Sequence, residues 1–421
     1  MTAAPGPEEP VLDPPAADPA SDPAASDPAD APEQGVDTAR QIDRQPSVAD
    51  GGQVGEPTEQ PVAAQLPAEP PPAEPALPGE TVSLFFNLEK IAGHGEDSDP
   101  ILSVTRNVGV IGVFDGMGGA GGTVYQTPDG PRTGAYLASR VVRKAVEGCI
   151  SGLLGGGLEL DGPAAAETMQ VVIKEALATR LADLQAPPSG LRSKLLRALP
   201  TTMALAVLQR PAPDAEGWTC HLFWAGDSRV YLFLPGTGSS QLTVDDLRDR
   251  GDAMANLRED SVVSNALSAD TPFVVHHRKL ELAAPFVVLA ATDGCFGYLP
   301  TPMHFEQLVL SCLRNADNTE SWSRALQSEI TAVTGDDAAM SLLGMGADLE
   351  QFRDHFALRT VEVEQQWVAP LDRLAAELNR AEQELARVSR EQTDTMAALW
   401  AAYKPEYVRY LGNESPKEEM S

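Results

Sequence analysis

The sequence predicts an α+β fold in which antiparallel sheets are covered by helices, with a tail of different character at each end. Three observations carry that expectation. Apolar strand-like runs outnumber the segments that could serve as βαβ crossovers, and short turns join many of them. Composition changes sharply near residue 80. A heptad-like pattern of Leu and Ala then begins near residue 371.

Residues 1–80 hold 18 of the 35 prolines, 16 acidic residues, only Arg40 and Arg44 as basic ones, and no aromatic residue. Such a segment buries too little apolar surface to offset the entropy of ordering it. A disordered acidic tail is expected over 1–80, serving solubility more than a dedicated partner. Order should begin with a strand at Thr81–Leu88, followed by an apolar run from Val108 to Phe114 that ends in an Asp-Gly turn. Arg132–Cys149 carries Leu137, Val141, Val142 and Ala145 at helical spacing, and Val171–Leu184 reads as a second helix. Further strands are expected at Thr202–Gln209, Thr219–Ala225, Val230–Leu234, Phe273–Leu282, Phe286–Thr292 and Ala339–Leu343. Helices are expected around Phe305–Leu313 and Ser321–Thr331.

The last stretch, 355–412, reads as a helical extension. Leu371, Leu374, Leu378, Ala381, Leu385 and Val388 follow a 3-4 spacing among Glu, Arg and Gln. The pattern weakens at Gln392 and Thr395 and resumes at Leu399 and Ala402. Such a helix packs on its own domain, or serves as a coiled coil for a partner or for self-association.

Charge narrows the partners. Lys+Arg total 31 against 61 Asp+Glu, a formal net charge of −30. That sign argues against nucleic acid or an anionic membrane, since both attract basic surfaces. No apolar run approaches the roughly 20 residues that span a bilayer, and the first residues lack the flank and core of a secretory signal. Cys149, Cys220, Cys295 and Cys312 are scattered and form no CxxC pair, so a reducing cytoplasm is the expected location.

The informative feature is a set of acidic residues at strand ends: Glu96-Asp97, Asp115-Gly116, Asp227, Asp245-Asp246, Asp293-Gly294 and Asp336-Asp337. One Asp at a strand end is ordinary turn chemistry. Several gathered at one sheet edge would repel one another unless a cation neutralised them. Oxygen-only ligation, without His or Cys, selects a hard ion such as Mg2+ or Mn2+.

The strings around these residues resemble those of a known family. Val113-Phe114-Asp115-Gly116-Met117-Gly118-Gly119 resembles the signature of the metal-dependent Ser/Thr protein phosphatases, the bacterial-type protein phosphatase 2C (PPM) family. Other motifs come in that family's order: Glu96-Asp97, Pro200-Thr201-Thr202-Met203-Ala204, Gly226-Asp227-Ser228-Arg229, Leu242-Thr243-Val244-Asp245-Asp246, Ser264 to Ser268, Thr292-Asp293-Gly294 and Gly335-Asp336-Asp337. The resemblance runs over residues 81–347, the expected catalytic domain. It implies a two-sheet antiparallel β-sandwich flanked by helices, and hydrolysis of phosphoserine or phosphothreonine in proteins by a water bridging two Mg2+ or Mn2+ ions. It also implies roles. Asp115 would bridge both ions, the Gly116 carbonyl would bind one, and Asp293 and Asp336 would complete the first. Glu96 and Asp97 would hold waters around the second, and Asp227 matches the position associated with a third ion. Asp115 and Asp293 are thus the expected catalytic carboxylates. Asp337 rivals Asp336, because the following residues permit a one-residue shift.

The departures from the pattern matter as much. Ala92 stands where family members carry the Arg that binds the substrate phosphate, leaving Lys90 and His94 nearby as substitutes. Gly297 stands where many carry a further Asp, and Met117 where some carry a His. Tyr125–Arg132 reads as an insertion beside the site mouth. The leading reading is a hydrolase acting on a phosphorylated protein. The alternative is a weak or inactive phosphatase-fold sensor that binds a partner.

Overall fold

The computed structural model describes residues 81–155, 159–184, 197–210, 217–249, 251–257 and 261–411. The tail expected over 1–80 lies outside them. In chain order the elements are β1 Thr81–Leu88, β2 Ile101–Val104, β3 Val108–Val113, a single-turn α1 Gly118–Gly121, β4 Val124–Thr127, β5 Gly130–Thr133, α2 Gly134–Leu154 and α3 Gly162–Asp183. There follow β6 Met203–Gln209, β7 Gly217–Ala225, β8 Arg229–Leu234, β9 Gly238–Gln241, β10 His276–Ala283 and β11 Phe286–Ala291. The chain then runs through α4 Pro302–Arg314, α5 Thr319–Val333, β12 Ala338–Met345, α6 Leu349–Glu362, a π-helical stretch Val363–Val368, and α7 Ala369–Tyr407.

Two five-stranded sheets form, in the orders β1-β12-β11-β8-β9 and β10-β7-β6-β3-β2, and all their pairings are antiparallel. Alternation explains how they stack. In β6, Ala204, Ala206 and Leu208 belong to the core between the sheets, with Ile111, Val113, Leu222, Val288 and Ala290. The intervening Met203, Leu205 and Val207 face the other way, toward Val142 and Val146 of α2 and Met169, Ile173 and Leu177 of α3. In the first sheet, Val287 and Leu289 of β11 likewise pack under Phe305 and Val309 of α4, Trp322 and Leu326 of α5, and Phe352 and Phe356 of α6. A period-2 strand buried on both faces needs apolar residues at every position, which is why β6, β11 and β12 read as continuous apolar runs. The result is the expected helix-covered sandwich of two antiparallel sheets.

The differences from the sequence reading have local causes. α3 begins at Gly162, well before Val171, because Asp161 caps it by accepting from the Ala164 N–H and Pro163 sits in its first turn. The Ala-rich first turns carried no apolar periodicity to reveal it. β2, β4, β5 and β9 are four-residue strands, too short to alternate legibly. The expected insertion after the signature is the hairpin β4-β5, with Val124 paired to Thr133 and Tyr125 to Arg132. α6 starts at Leu349 from a reciprocal cap between Asp348 and Gln351. The four cysteines are free thiols, three of them buried.

Candidate metal centre

Antiparallel register decides which loops meet. Where β3 ends, Val113 pairs with Ala204 at the start of β6, and Met203 pairs with Ala225 at the end of β7. In the other sheet Ala291, ending β11, pairs with Arg229 of β8 and Met340 of β12, while Leu88 of β1 pairs with Ala338. Asp115, Asp227, Asp293, Asp336 and the Glu96-Asp97 loop therefore issue from the same end of the sandwich.

Each acidic group is held by a different device. The main-chain carbonyl of Asp115 accepts from the Thr202 N–H at 2.9 Å and from the Thr201 hydroxyl. Thr201 in turn forms bridges with Gly116 and Leu267, so three distant motifs lock together. A Cβ on Gly116 would lie 2.5 Å from the Glu96 carbonyl oxygen, an approach only glycine permits. Glu96 is fixed by α2: its carbonyl accepts from Ser139 Oγ at 2.6 Å and Arg140 Nη1 at 3.2 Å, and its carboxylate from the Thr133 hydroxyl. Asp97 is 2% exposed and accepts from Thr292 Oγ1 at 2.9 Å. Asp227 sits in the β7-β8 turn, which Gly226 enters at φ +97°. Asp293 opens a 3-10 turn whose Gly294 packs against the Asp337 carbonyl with no room for a Cβ.

Asp336 and Asp337 divide their work. The Asp337 carboxylate takes the backbone N–H groups of Lys90 at 2.8 Å and Glu96 at 2.6 Å, clasping the loop between β1 and β2. Asp336 is exposed, its carboxylate accepts only a turn N–H from Asp337 among the described hydrogen bonds, and it is the foremost charge acting on Asp293. Its carboxylate is therefore the freer of the two.

The electrostatics show what gathering these groups costs. Burial, then repulsion from Asp293, pushes the Asp97 carboxyl up to about 8. The same two causes in the same order raise Asp227 to about 7 and Asp115 well above the carboxylate range. Asp293 is raised to about 6 by burial and by Asp336. Glu96 is raised too, chiefly by burial. The Asp115 carboxyl lies within hydrogen-bond reach of both Asp97 and Asp293. Among the described residues no three His, Cys, Asp or Glu side chains converge on one point as the ligands of a bound ion would. The donor set itself fits a hard divalent cation: oxygen only, several negative charges, and glycine beside two of the carboxylates.

A cavity of about 220 Å3 opens beside Asp227 and Asp293. Arg229, Asp245, Asn256, Ser261, Phe296 and Tyr298 are among the other residues that line it. The Arg229 guanidinium is committed there: it donates to both Asp245 oxygens at 3.0 and 2.6 Å, and to the Tyr231 hydroxyl at 3.2 Å. Asp246 serves as a hub, accepting from the Gly226 N–H, Asn265 Nδ2 and the His276 ring. Asp245 and Asp246 thus hold the loops of the site together by pairing and do not stand open to an ion.

Lys90, Ala92 and His94 all lie exposed on the clasped loop. The β4-β5 hairpin reaches the same loop through Arg132 Nη1, which donates to the Gly93 carbonyl at 2.9 Å. Met117 packs with Leu247, Val263 and Ala266 and has no polar role. Sequence reasoning missed Thr133, Ser139, Arg140 and Thr292, which orient the acidic residues. Only Thr292 and Thr133 left a signal, each being adjacent to a motif or a helix start.

No protein-family model matches the chain, and no curated protein sequence does. Several solved structures are similar in fold. The Mycobacterium tuberculosis serine/threonine phosphatase PstP/Ppp is 17% identical, with a TM-score of 0.45 over 63% of this chain and 99% of that one. The catalytic domain of the serine/threonine protein phosphatase PstP, solved with two manganese ions, is 16% identical at a TM-score of 0.42, over 64% and 100%. A phosphatase from a pathogenic strain of Toxoplasma gondii is 15% identical at a TM-score of 0.46, over 64% and 94%. The likeness concerns the fold alone. No helix of the described residues is long and apolar enough to cross a membrane.

Proposed function

We propose that this chain is a metal-dependent phosphatase acting on phosphoserine or phosphothreonine in proteins. The observation that carries the reading is the group of Glu96, Asp97, Asp115, Asp227, Asp293 and Asp336, issuing from separate strands at one sandwich end, the first five raised by burial and then by neighbouring acidic charge. A fold keeps such mutually repelling groups together when an ion repays their repulsion. In this reading Asp115, the Gly116 carbonyl, Asp293 and Asp336 hold one Mg2+ or Mn2+, Glu96 and Asp97 serve a second, and Asp227 a weaker third. Bound ions of this kind neutralise phosphoryl charge and lower the pKa of a coordinated water.

The chain's own residues do the rest. Thr201 and Thr202 anchor the Asp115 backbone, and Thr292 aims Asp97. The cavity beside Asp227 and Asp293 accommodates the substrate segment flanking the phosphoryl group. A second reading, a weak or inactive sensor of the same fold, draws support from exposed Ala92, which offers no guanidinium to a phosphate.

Hydrolysis of para-nitrophenyl phosphate and of a phosphothreonine peptide, with and without Mn2+, tests the reading. Mn2+-dependent turnover that Asp293→Asn and Asp115→Asn each abolish is the expected result. Full turnover by Asp293→Asn at saturating Mn2+ would refute it, and background rates for the wild type would favour the sensor.

A further inference from the structure

α7 is a helix of 39 residues, about 58 Å long, that buries none of its side chains. Its root is tied down: Asp372 accepts from the His304 ring at 3.1 Å, and Glu364 just before it takes Arg314 at 3.0 Å. Beyond that it carries an apolar stripe with no partner among the described residues. Leu371, Leu378, Leu385 and Leu399 fall at heptad position a, and Leu374 and Val388 at position d. Leu378 is 60% exposed, Leu385 67% and Leu399 65%, although a surface helix normally turns such residues inward. A lone helix of this composition gains little from its own exposed ion pairs, such as those of Arg387 with Glu384 and Glu391. Its stripe is built for a second helix.

Charge says which helix. The e and g positions flank the stripe and face a partner's flanks. From Pro370 to Pro405 they contain Glu377, Glu382, Glu384 and Glu391, and no Lys or Arg. Arg373, Arg380 and Arg387 all stand at c, on the outer side. A second copy in parallel would set Glu377 against Glu382. An antiparallel copy centred on Glu384 would set that residue against itself and Glu377 against Glu391. Both arrangements place Glu opposite Glu with no Lys or Arg at the facing e and g positions, since Arg387 at c pairs with Glu384 and Glu391 only within its own helix.

We propose that α7 is the docking site for a basic amphipathic helix of a different protein, with apolar residues at its own a and d positions and Lys or Arg flanking them. A polar layer at Gln392 and Thr395 interrupts the stripe and would set the register of that helix. This proposal is independent of whether the acidic site hydrolyses phosphoesters.

The test uses the full-length chain and two labelled synthetic heptad peptides with identical Leu cores, one with Lys and one with Glu at every e and g position. Fluorescence anisotropy should show the Lys peptide binding at least ten-fold more tightly. Glu377→Lys, Glu384→Lys and Glu391→Lys combined should reverse the preference. Leu378→Asp with Leu385→Asp should abolish binding of the Lys peptide while adding negative charge, with the melting temperature of the domain unchanged. Retained binding in that variant would reduce the effect to general charge attraction and overturn the proposal. A wild-type dimer in light scattering that Leu385→Asp dissociates would overturn it in favour of a second copy. Binding to phosphatidylglycerol vesicles with neither peptide bound would overturn it in favour of a lipid surface.

Discussion

The Thr292 hydroxyl donates to the Asp97 carboxylate at 2.9 Å, joining residues 195 positions apart. The same oxygen accepts from the Ala339 N–H at 2.8 Å, so the proton it offers Asp97 is aimed by the sheet. Thr292→Val keeps the shape and removes the donor. The expected outcome is a Mn2+ requirement raised about 10–100-fold with the fold retained, since oriented ligands of this kind contribute on that scale. Thr292→Ser should restore the wild-type requirement. A Mn2+ titration of hydrolysis, or of the melting temperature, checks both.

Arg229 and Asp245 form an ion pair with side chains 4% and 2% exposed. Asp245→Ala would leave a guanidinium buried without its partner. That change should destabilise the fold by about 3–5 kcal/mol, the range for breaking a buried pair from one side. Urea unfolding of wild type and variant measures it. A change below 1 kcal/mol would mean that water enters the cavity and solvates Arg229.

Substrate affinity should report on the loop that lacks Arg. Ala92→Arg is expected to lower KM for para-nitrophenyl phosphate several-fold with kcat little changed, because added uniform binding appears in KM. Lys90→Ala should raise KM if that flexible ammonium reaches the phosphate. Steady-state kinetics of the two variants separates these contributions. No change in either would place the substrate phosphate out of reach of this loop.

His221 and His277 lie 3.1 Å apart, ring nitrogen to ring nitrogen, under the start of α3. Burial depresses both, and the charge of His277 further depresses His221. A depressed histidine binds fewer protons folded than unfolded, so stability is full above the unfolded value of about 6.5 and declines as pH falls below it. The pair should therefore lower the melting temperature between pH 7.5 and 5.5, against the opposite contribution of the raised Asp97, Asp227 and Asp293 carboxyls, and His277→Gln should remove part of that drop relative to wild type. An identical drop would assign the acid sensitivity to other groups.

Several levels of this protein were legible without coordinates. The unbroken apolar runs Met203–Gln209 and Phe286–Ala291 announced strands, and burial on both faces explains why they carry almost no polar position. The acidic residues were legible as a set, since each directly follows or precedes an apolar run. Short strands such as Gly238–Gln241 were not, having too few residues to show a period.

Sequence alone determined which residues are apolar, where the turns fall, and that several carboxylates stand at strand ends. It also determined that the flanks of the last helix are acidic. Tertiary structure decided the rest, because pairing and contact are not local properties. Register brought Asp97, Asp115 and Asp293 within reach of one another, and spent Asp337 on two backbone N–H groups while Asp336 stayed free. It enclosed Arg229 with Asp245, and it left the apolar stripe of α7 without a neighbour among the described residues. A heptad reads the same whether its helix lies on a domain or points away from it; only packing distinguishes the two.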